Sequence, residues 1–238
     1  MSDRTLYIAV AVSALVASGA TLGVTALTAP ERADGVAVRD YILEHPEIIP
    51  EAMELLRARE TAKAIDANRS AIETPFAGAW AGAEDGDVVL VEFFDYACGY
   101  CRASLPHIER LLAEDKGLKI VFRELPVLGP ASETAARLSL AAAELGKHKA
   151  FHDALFAAGP PSDQSIAAAR ETAGLALAPA RETAMSPAVQ RELETNFTLA
   201  RQLGFNGTPS WVVGDKALSG AVGYEALKDA IAAARAGS

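Results

Sequence analysis

A buried-strand pattern that runs directly into two closely spaced cysteines constrains this chain more than any other feature. Residues 88–96 form a nearly unbroken apolar run, which is typical of a strand buried on both faces. Cys98-Gly-Tyr-Cys101 follows at once, and a helical pattern continues from there to about residue 113. A second apolar run over residues 118–125 predicts another strand. The cysteine pair is therefore predicted to lie at the strand-to-helix junction of a βαβ unit.

The chain has two cysteines, and both belong to this one unit. A bridge between them closes too short a loop to stabilise a fold, which argues against a structural role. A helix N-terminus stabilises a thiolate, and the thiolate is the attacking species in disulfide exchange. Cys98 is closer to the free N–H groups of the first turn and is predicted to be the nucleophile, with Cys101 as the resolving thiol. Gly99 and Tyr100 form the active-site loop between them.

Glu92 and Pro209 are the next candidates for the site. Glu92 interrupts the apolar strand six residues before Cys98, and a carboxyl group in a buried strand is costly unless it is neutral, paired or functional. We favour a buried proton acceptor over the alternative, a surface acid on a less buried strand. Pro209 directly precedes a predicted strand. A cis bond there would expose the backbone groups of Thr208, which could pair with an extended peptide.

The remaining patterns outline the rest of the chain. Residues 74–86 are rich in Gly, Ala and Pro and indicate a linker or domain edge. Residues 131–203 are helical in pattern, with interruptions at Gly159-Pro160-Pro161 and Ser186-Pro187. Residues 209–218 indicate two short strands joined by Gly214-Asp215. A last helix is predicted over residues 224–234. The net charge of −9 and the lack of a basic run argue against nucleic acid as a partner.

The N-terminal residues predict export and a helical arm. Residues 6–29 are uncharged and mostly apolar, which fits a cleaved signal peptide or a retained membrane anchor, here assigned to residues 1–30. Residues 35–72 then indicate helix, broken near His45-Pro46, with a narrow apolar stripe at Ala58, Ala62, Ile65 and Ile72. The stripe favours a partner helix, hence a homo-oligomer. The alternative is a helix that lies on its own catalytic domain.

Two readings from other classes compete with dithiol exchange. His148 and His152 stand at i and i+4 and, with the two cysteines, make a Cys₂His₂ set in outline. They are more simply a surface position and a packed neighbour of two phenylalanines, so we predict no metal site. Cu(I) binding by the dithiol is the stronger alternative, because soft thiolates favour Cu(I). A redox-inactive interaction protein is disfavoured because both cysteines are present.

Three motifs in this order resemble the DsbA/DsbC-type thiol:disulfide oxidoreductases of the bacterial periplasm. They are Phe93-Phe-Asp-Tyr-Ala-Cys-Gly-Tyr-Cys-Arg102, Glu124-Leu-Pro-Val-Leu-Gly-Pro130 and Gly207-Thr-Pro-Ser-Trp-Val-Val213. The resemblance implies an α/β thioredoxin fold, with Cys98 as nucleophile, Cys101 as resolving thiol, Glu92 as the buried acid, Pro209 as a cis proline and Thr208 facing substrate. The segment Tyr41-Ile-Leu-Glu-His-Pro-Glu-Ile-Ile49 is similar to the arm of the ScsC-like, copper-tolerance-associated members.

This resemblance completes the predicted organisation and function. A helical arm over residues 31–73 precedes a DsbA-like thioredoxin-fold domain over residues 74–238, with a helical insert at about 131–204. The protein is expected in the periplasm, soluble or tethered to the inner membrane. It would exchange thiols and disulfides with exported proteins and with a membrane redox partner, without a cofactor. The domain body resembles the disulfide donors, whereas Cys-Gly-Tyr-Cys and Thr208 resemble the isomerases, and both roles stay open.

Overall fold

The computed structural model describes residues 35–237, so the predicted export segment at residues 1–30 lies outside the described residues. The chain divides into two compact units, one ending at Arg57 and the other beginning at Ala58. In the first unit, residues 35–44 form helix α1, and helix α2, Ile48–Glu73, begins before the boundary. Within residues 35–237, no helix combines the length and the hydropathy that crossing a membrane requires.

The second unit is a mixed α/β domain, as predicted, and it is built on one five-stranded sheet. Its strand order is β1-β3-β2-β4-β5, with β2 and β3 parallel and the other neighbours antiparallel. After α2 the elements are β1 (Trp80–Gly82), β2 (Val88–Phe94), α3 (Gly99–Glu114), β3 (Leu118–Glu124), α4 (Pro130–Glu144), α5 (His148–Ala158), α6 (Asp163–Thr172), α7 (Leu177–Ala184), α8 (Pro187–Gln202), β4 (Ser210–Val213), β5 (Lys216–Ser219) and α9 (Gly223–Ala236). The predicted βαβ unit is confirmed as β2–α3–β3.

Strand β1 is absent from the sequence-based prediction, which assigned residues 74–86 to a linker. It is short, and its composition carries no strand signal. Trp80 nevertheless pairs with Val121 of β3 and so places β1 at one edge of the sheet. A strand of this length is stabilised by its neighbour rather than by its own propensity.

The alternation of side chains along β2 decides what faces the active-site helix. Leu90, Glu92 and Phe94 share one face of the sheet, because successive side chains of a strand point to opposite sides. On that face the core includes Ile108 of α3 and Leu227 of α9. Glu92 is therefore on the side of the sheet that α3 covers.

The opposite face of the sheet is covered by α2 and α8. Ile65 and Ile72 of α2 are fully buried against Val91 and Phe93 of β2, and Leu199 of α8 joins the same cluster. This part of α2 lies on its own domain, which was the alternative to a partner helix for that stretch of the stripe. Burying the two isoleucines contributes about 2–3 kcal/mol each.

Arg123 of β3 joins the end of α2 to the sheet. Its side chain donates hydrogen bonds to the carbonyls of Ile72 at 2.8 Å, Thr74 at 2.7 Å and Ala71. These are the carbonyl groups that a helix C-terminus leaves without partners. The same guanidinium pairs with Glu192 of α8 at 2.9 Å. Burial lowers the pKa of Arg123 and the charge of Glu192 opposes that shift.

We expect Arg123→Met to lower the free energy of unfolding by about 3–5 kcal/mol. The substitution leaves the Glu192 carboxylate and the carbonyls at the end of α2 buried without their donor. Urea denaturation followed by circular dichroism measures the loss. Arg201→Met on the exposed side of α8 is the matched control and should change stability by less than about 0.5 kcal/mol. Equal stability of the two variants would contradict the anchoring role.

Candidate active site

The turn between β2 and α3 places Cys98 at the start of the helix. Cys98 is the N-cap residue of α3, with extended backbone angles of φ −78° and ψ 115°. The Asp95 carboxylate holds the turn, because it accepts the backbone N–H of Ala97 at 2.8 Å and that of Leu128 at 2.9 Å. The cysteine side chain therefore takes the position that a serine or aspartate usually occupies at a helix N-terminus.

The Cys98 sulfur contacts both the helix and the proline loop. It accepts the backbone N–H of Cys101 at 3.4 Å, and its S–H donates to the carbonyl oxygen of Thr208 at 3.2 Å. The Thr208–Pro209 peptide bond is cis, as the resemblance implied. The structure thus brings together two predicted parts of the site that are 110 residues apart in sequence.

Both cysteines are free thiols in largely buried positions, but their surroundings differ. Cys98 keeps 6% of its surface exposed, whereas Cys101 keeps 1%. Burial raises the pKa of the Cys101 thiol strongly, and the negative charge of Glu92 raises it further. Cys101 therefore holds its proton unless a nearby group accepts it.

Glu92 is buried beneath the cysteine pair. It is 1% exposed, which removes the alternative of a surface-facing acid, and its Oε1 has no hydrogen-bond partner among the described residues. Burial raises the pKa of Glu92 to about 8, and the charge of Cys98 acts in the same direction. A carboxyl group with this pKa can gain or lose a proton near neutral pH.

A second buried carboxyl group, Glu124 at the end of β3, was missed at the sequence level. It lies opposite Phe94 in the β2–β3 register and is 1% exposed. Burial raises its pKa well above the ordinary value, while the Ser139 hydroxyl acts against that shift. The signal that could have revealed it is the one used for Glu92, an acid within an apolar strand.

Buried polar side chains continue from Tyr96 into the helical insert. The Tyr96 hydroxyl lies 2.8 Å from the Ser139 hydroxyl and 3.1 Å from Nδ1 of His152. His148 is also buried, so its sequence-based assignment to a surface position is wrong. The side of α5 that carries Phe151 and Phe156 packs into the core and takes both histidines with it.

The suggested Cys₂His₂ set does not form a metal centre. Across residues 35–237, no three or more His, Cys, Asp and Glu side chains are grouped so that they could hold a metal ion. Burial lowers the pKa of His148 and of His152 to about 3. Both imidazoles are therefore neutral at pH 7.

Exposed apolar residues form a rim on two loops, the one that follows Cys98 and the one that follows β3. Tyr100 of the active-site loop is 70% exposed, and Val127 and Leu128 are also exposed. The Leu128 N–H is bound to Asp95, so the loop after β3 is tied to the turn that carries Cys98. Such a rim can contact apolar side chains of a substrate protein.

Two families of known proteins match the chain. The DSBA-like thioredoxin domain matches residues 89–232, and the copper resistance protein ScsC N-terminal domain matches residues 35–63. The first match spans strands β2 to β5, apart from Val88, together with the cysteine pair and the cis proline. The second falls on α1 and the first part of α2.

Individual proteins extend this comparison. A solved thioredoxin-like oxidoreductase from Silicibacter pomeroyi DSS-3 is 38% identical with a TM-score of 0.69, covering 72% of this chain and 99% of that one. A linker-deletion variant of Proteus mirabilis ScsC is 28% identical with a TM-score of 0.71, covering 89% and 97%. The Na(+)/H(+) antiporter NhaA 1 of Salinispora arenicola (strain CNS-205) is 28% identical over 160 residues, which are 66% of this chain. The chain spans 24% of that antiporter's length.

The family match covers more than half of the chain and agrees with the sheet topology and the geometry around Cys98. The chain belongs to the DSBA-like thioredoxin domain family.

Proposed function

We propose that this protein exchanges disulfides with exported proteins, with Cys98 as the nucleophile and Cys101 as the resolving thiol. The observation that carries the proposal is the position of the Cys98 sulfur between the Cys101 N–H and the Thr208 carbonyl. The N–H favours negative charge on sulfur. The Thr208 carbonyl, beside cis Pro209, could pair with an extended substrate segment once the Cys98 thiol releases it.

The proposed reaction conserves electrons and protons at each step. The Cys98 thiolate attacks one sulfur of a substrate disulfide, the substrate S–S bond breaks, and the other sulfur leaves as a thiolate. Cys101 then loses its proton and attacks the Cys98 sulfur. The mixed disulfide breaks, the Cys98–Cys101 bridge forms, and the substrate leaves with two thiols. In the donor direction the same steps run in reverse.

Glu92 is proposed as the group that takes the proton from Cys101. Cys101 is buried and retains its proton, so it needs an acceptor at the moment of attack. Glu92 is 1% exposed and lies on the face of the sheet that α3 covers, the helix that carries Cys101. When Cys98 is bonded to substrate it carries no negative charge, which removes one of the causes that raise the pKa of Glu92.

The proposed compartment is the periplasm, and the proposed partners are exported proteins and a membrane redox protein. The leading apolar residues 6–29 fit a signal peptide or anchor, and the family resemblance points to the periplasm. Substrates would be exported proteins that carry thiols or disulfides and that contact the rim of Tyr100, Val127 and Leu128. A membrane redox partner would restore the working oxidation state.

We favour the isomerase role over the donor role because of the first compact unit. Its large apolar side chains are exposed: Val36, Val38, Tyr41, Leu43, Ile49, Met53, Leu55 and Leu56. This is the region that matches the ScsC N-terminal domain. An apolar face of this kind is stabilised by association with other copies. Several catalytic domains in one assembly could hold a misfolded substrate through repeated exchange.

Cu(I) binding by the same dithiol stays an alternative prediction. Two thiolates suit Cu(I), but the described residues offer no group of three or more His, Cys, Asp or Glu side chains around them. The contact between Cys98 and the Thr208 carbonyl favours disulfide exchange, because metal binding does not require a substrate-pairing backbone group beside the thiol.

The two cysteines should give opposite phenotypes. Cys98→Ala should abolish turnover, because the remaining thiol, Cys101, is 1% exposed and keeps its proton. Cys101→Ala should accumulate mixed disulfides, because the first step proceeds and the second cannot. Non-reducing electrophoresis of the variants with a disulfide-bonded substrate measures both. Residual turnover in the Cys98 variant, or no trapped species in the Cys101 variant, would refute the assigned roles.

Glu92→Gln should slow the resolving step by about 100-fold, since positioned acids and bases contribute at least this much. It should also stabilise the fold at high pH. The neutral carboxyl of Glu92 persists in the folded state up to pH about 8, whereas in the unfolded chain it ionises near 4.5. The wild type therefore loses stability as pH rises from 4.5 through 8, up to about 5 kcal/mol.

Stopped-flow rates and urea denaturation at pH 4.5 and pH 8 test both effects. Glutamine cannot ionise, so the variant should gain on the wild type only as pH rises. Glu182→Gln on the exposed surface of α7 is the control and should show no such gain. A Glu92 variant with wild-type rates would remove the proton-acceptor role, whatever its stability.

The arm should be required for isomerisation. Leu55→Glu with Leu56→Glu should disrupt self-association and lower reactivation of a scrambled disulfide-bonded protein by at least about tenfold, because avidity is lost. Arg57→Glu adds charge without removing an apolar side chain and is the control. Light scattering gives the oligomeric state. Rapid oxidation of a reduced substrate with no reactivation by the wild type would indicate a disulfide donor instead.

A further inference from the structure

A cavity of about 340 Å³ lies between α3, α5 and the β1–β3 edge of the sheet. Its lining residues include neither of the cysteines nor the proline loop. Its walls are mainly apolar and come from Trp80, Leu105, Ile108, Leu112, Phe122 and Phe156. Exposed residues on α3 and α5, among them Glu109 and Asp153, lie at its mouth and connect it to solvent.

Two buried histidines supply the polar groups of this cavity. His148 is 3% exposed and His152 is 4% exposed, and their ring centroids are 5.4 Å apart. Both nitrogens of His148 and Nε2 of His152 have no hydrogen-bond partner among the described residues. A buried polar atom left in this way costs about 1–3 kcal/mol. The fourth nitrogen, Nδ1 of His152, is occupied by the Tyr96 hydroxyl at 3.1 Å.

The cavity offers hydrogen bonds without charge. A neutral imidazole presents one N–H donor and one acceptor nitrogen, and both histidines are neutral at pH 7 because burial lowers their pKa values to about 3. The charged groups that line the cavity are Glu109, Lys149 and Asp153, and Lys149 is paired with Asp153. An ionic ligand would therefore find no opposite charge in the buried part of the cavity.

We propose that this cavity binds a small, uncharged aromatic molecule that carries one hydrogen-bonding group, with phenol as the simplest representative. Apolar cavities of about 150 Å³ accept benzene, and ligand pockets begin near 300 Å³, so the volume suffices for a substituted ring. The aromatic ring would pack between Phe122 and Phe156. Its hydroxyl would satisfy nitrogens of His148 and His152 that the protein leaves open.

Titration of the full-length protein with phenol and with toluene tests the proposal. Toluene has nearly the same shape but no hydroxyl. We expect phenol to shift the ring nitrogen signals of His148 and His152 in NMR spectra, to saturate, and to bind about three- to tenfold more tightly than toluene, the gain from one hydrogen bond. No saturable shift would mean that the cavity holds water only and would overturn the proposal. Equal affinities would overturn the role of the histidines.

His148→Phe keeps a ring of similar size and removes both nitrogens. In this variant toluene should still bind, while the preference for phenol should fall below about twofold. His107→Phe on α3, a histidine that does not line the cavity, is the matched control and should keep the preference. If His148→Phe does not fold, the comparison of phenol with toluene in the wild type still decides the question.

Discussion

The Asp95 carboxylate holds together the loops that leave the two parallel strands, and the active site depends on this contact. It binds the N–H of Ala97 in the turn after β2 and the N–H of Leu128 after β3. Strand β4 begins at Ser210, which pairs with Phe93 of β2, so the cis proline arrives at the same edge of the sheet. Three segments far apart in sequence converge there because the carboxyl ends of β2 and β3 point the same way. The thiol, the exposed rim and the proline loop follow from this arrangement.

Buried polar groups gather on one side of the sheet. Glu92, Glu124, Tyr96 and His152 all lie in the interior on the side of α3 or the helical insert. Glu92, Glu124 and His152 each keep a buried atom without a hydrogen-bond partner among the described residues, whereas the Tyr96 hydroxyl is bound to Ser139 and His152. The opposite side has Arg123, but there every donor of the guanidinium has a described acceptor nearby. Buried polar groups without hydrogen-bond partners thus lie on the side of the sheet where proton transfer is proposed. On the other side, the guanidinium that anchors α2 is fully hydrogen-bonded.

Much of the fold could be predicted from the sequence because its central elements have strong patterns. The unbroken apolar runs identify β2 and β3, and the cysteine pair marks the start of α3. Strand β1 could not be predicted because its pairing with β3, rather than its own sequence, stabilises it. Within the helical insert, helices also end at Gly146 and Gly174, whose φ angles are positive at 69° and 63°.

The residues of the candidate site likewise divide into those with a strong local sequence pattern and those without one. Cys98, Cys101 and Glu92 stand out in sequence because they interrupt or end an apolar strand. Glu124 carries the same signal as Glu92, but it falls at the end of its strand beside Arg123. The burial of His148 has no such signal, since it depends on how the insert packs on β3. The contact between Cys98 and Thr208 could be expected only through the family resemblance, because no local pattern joins residues 110 apart.

The hydrogen bond from Cys98 to the Thr208 carbonyl has a consequence for how the enzyme rests and engages. In the free protein the thiol occupies an acceptor that an extended peptide would use for its own N–H. The N–H of such a peptide and the S–H of Cys98 would therefore compete for the same carbonyl oxygen of Thr208. In the proposed exchange, an arriving substrate chain would free the Cys98 sulfur as it binds, so that recognition of the substrate and readiness to attack it would occur together.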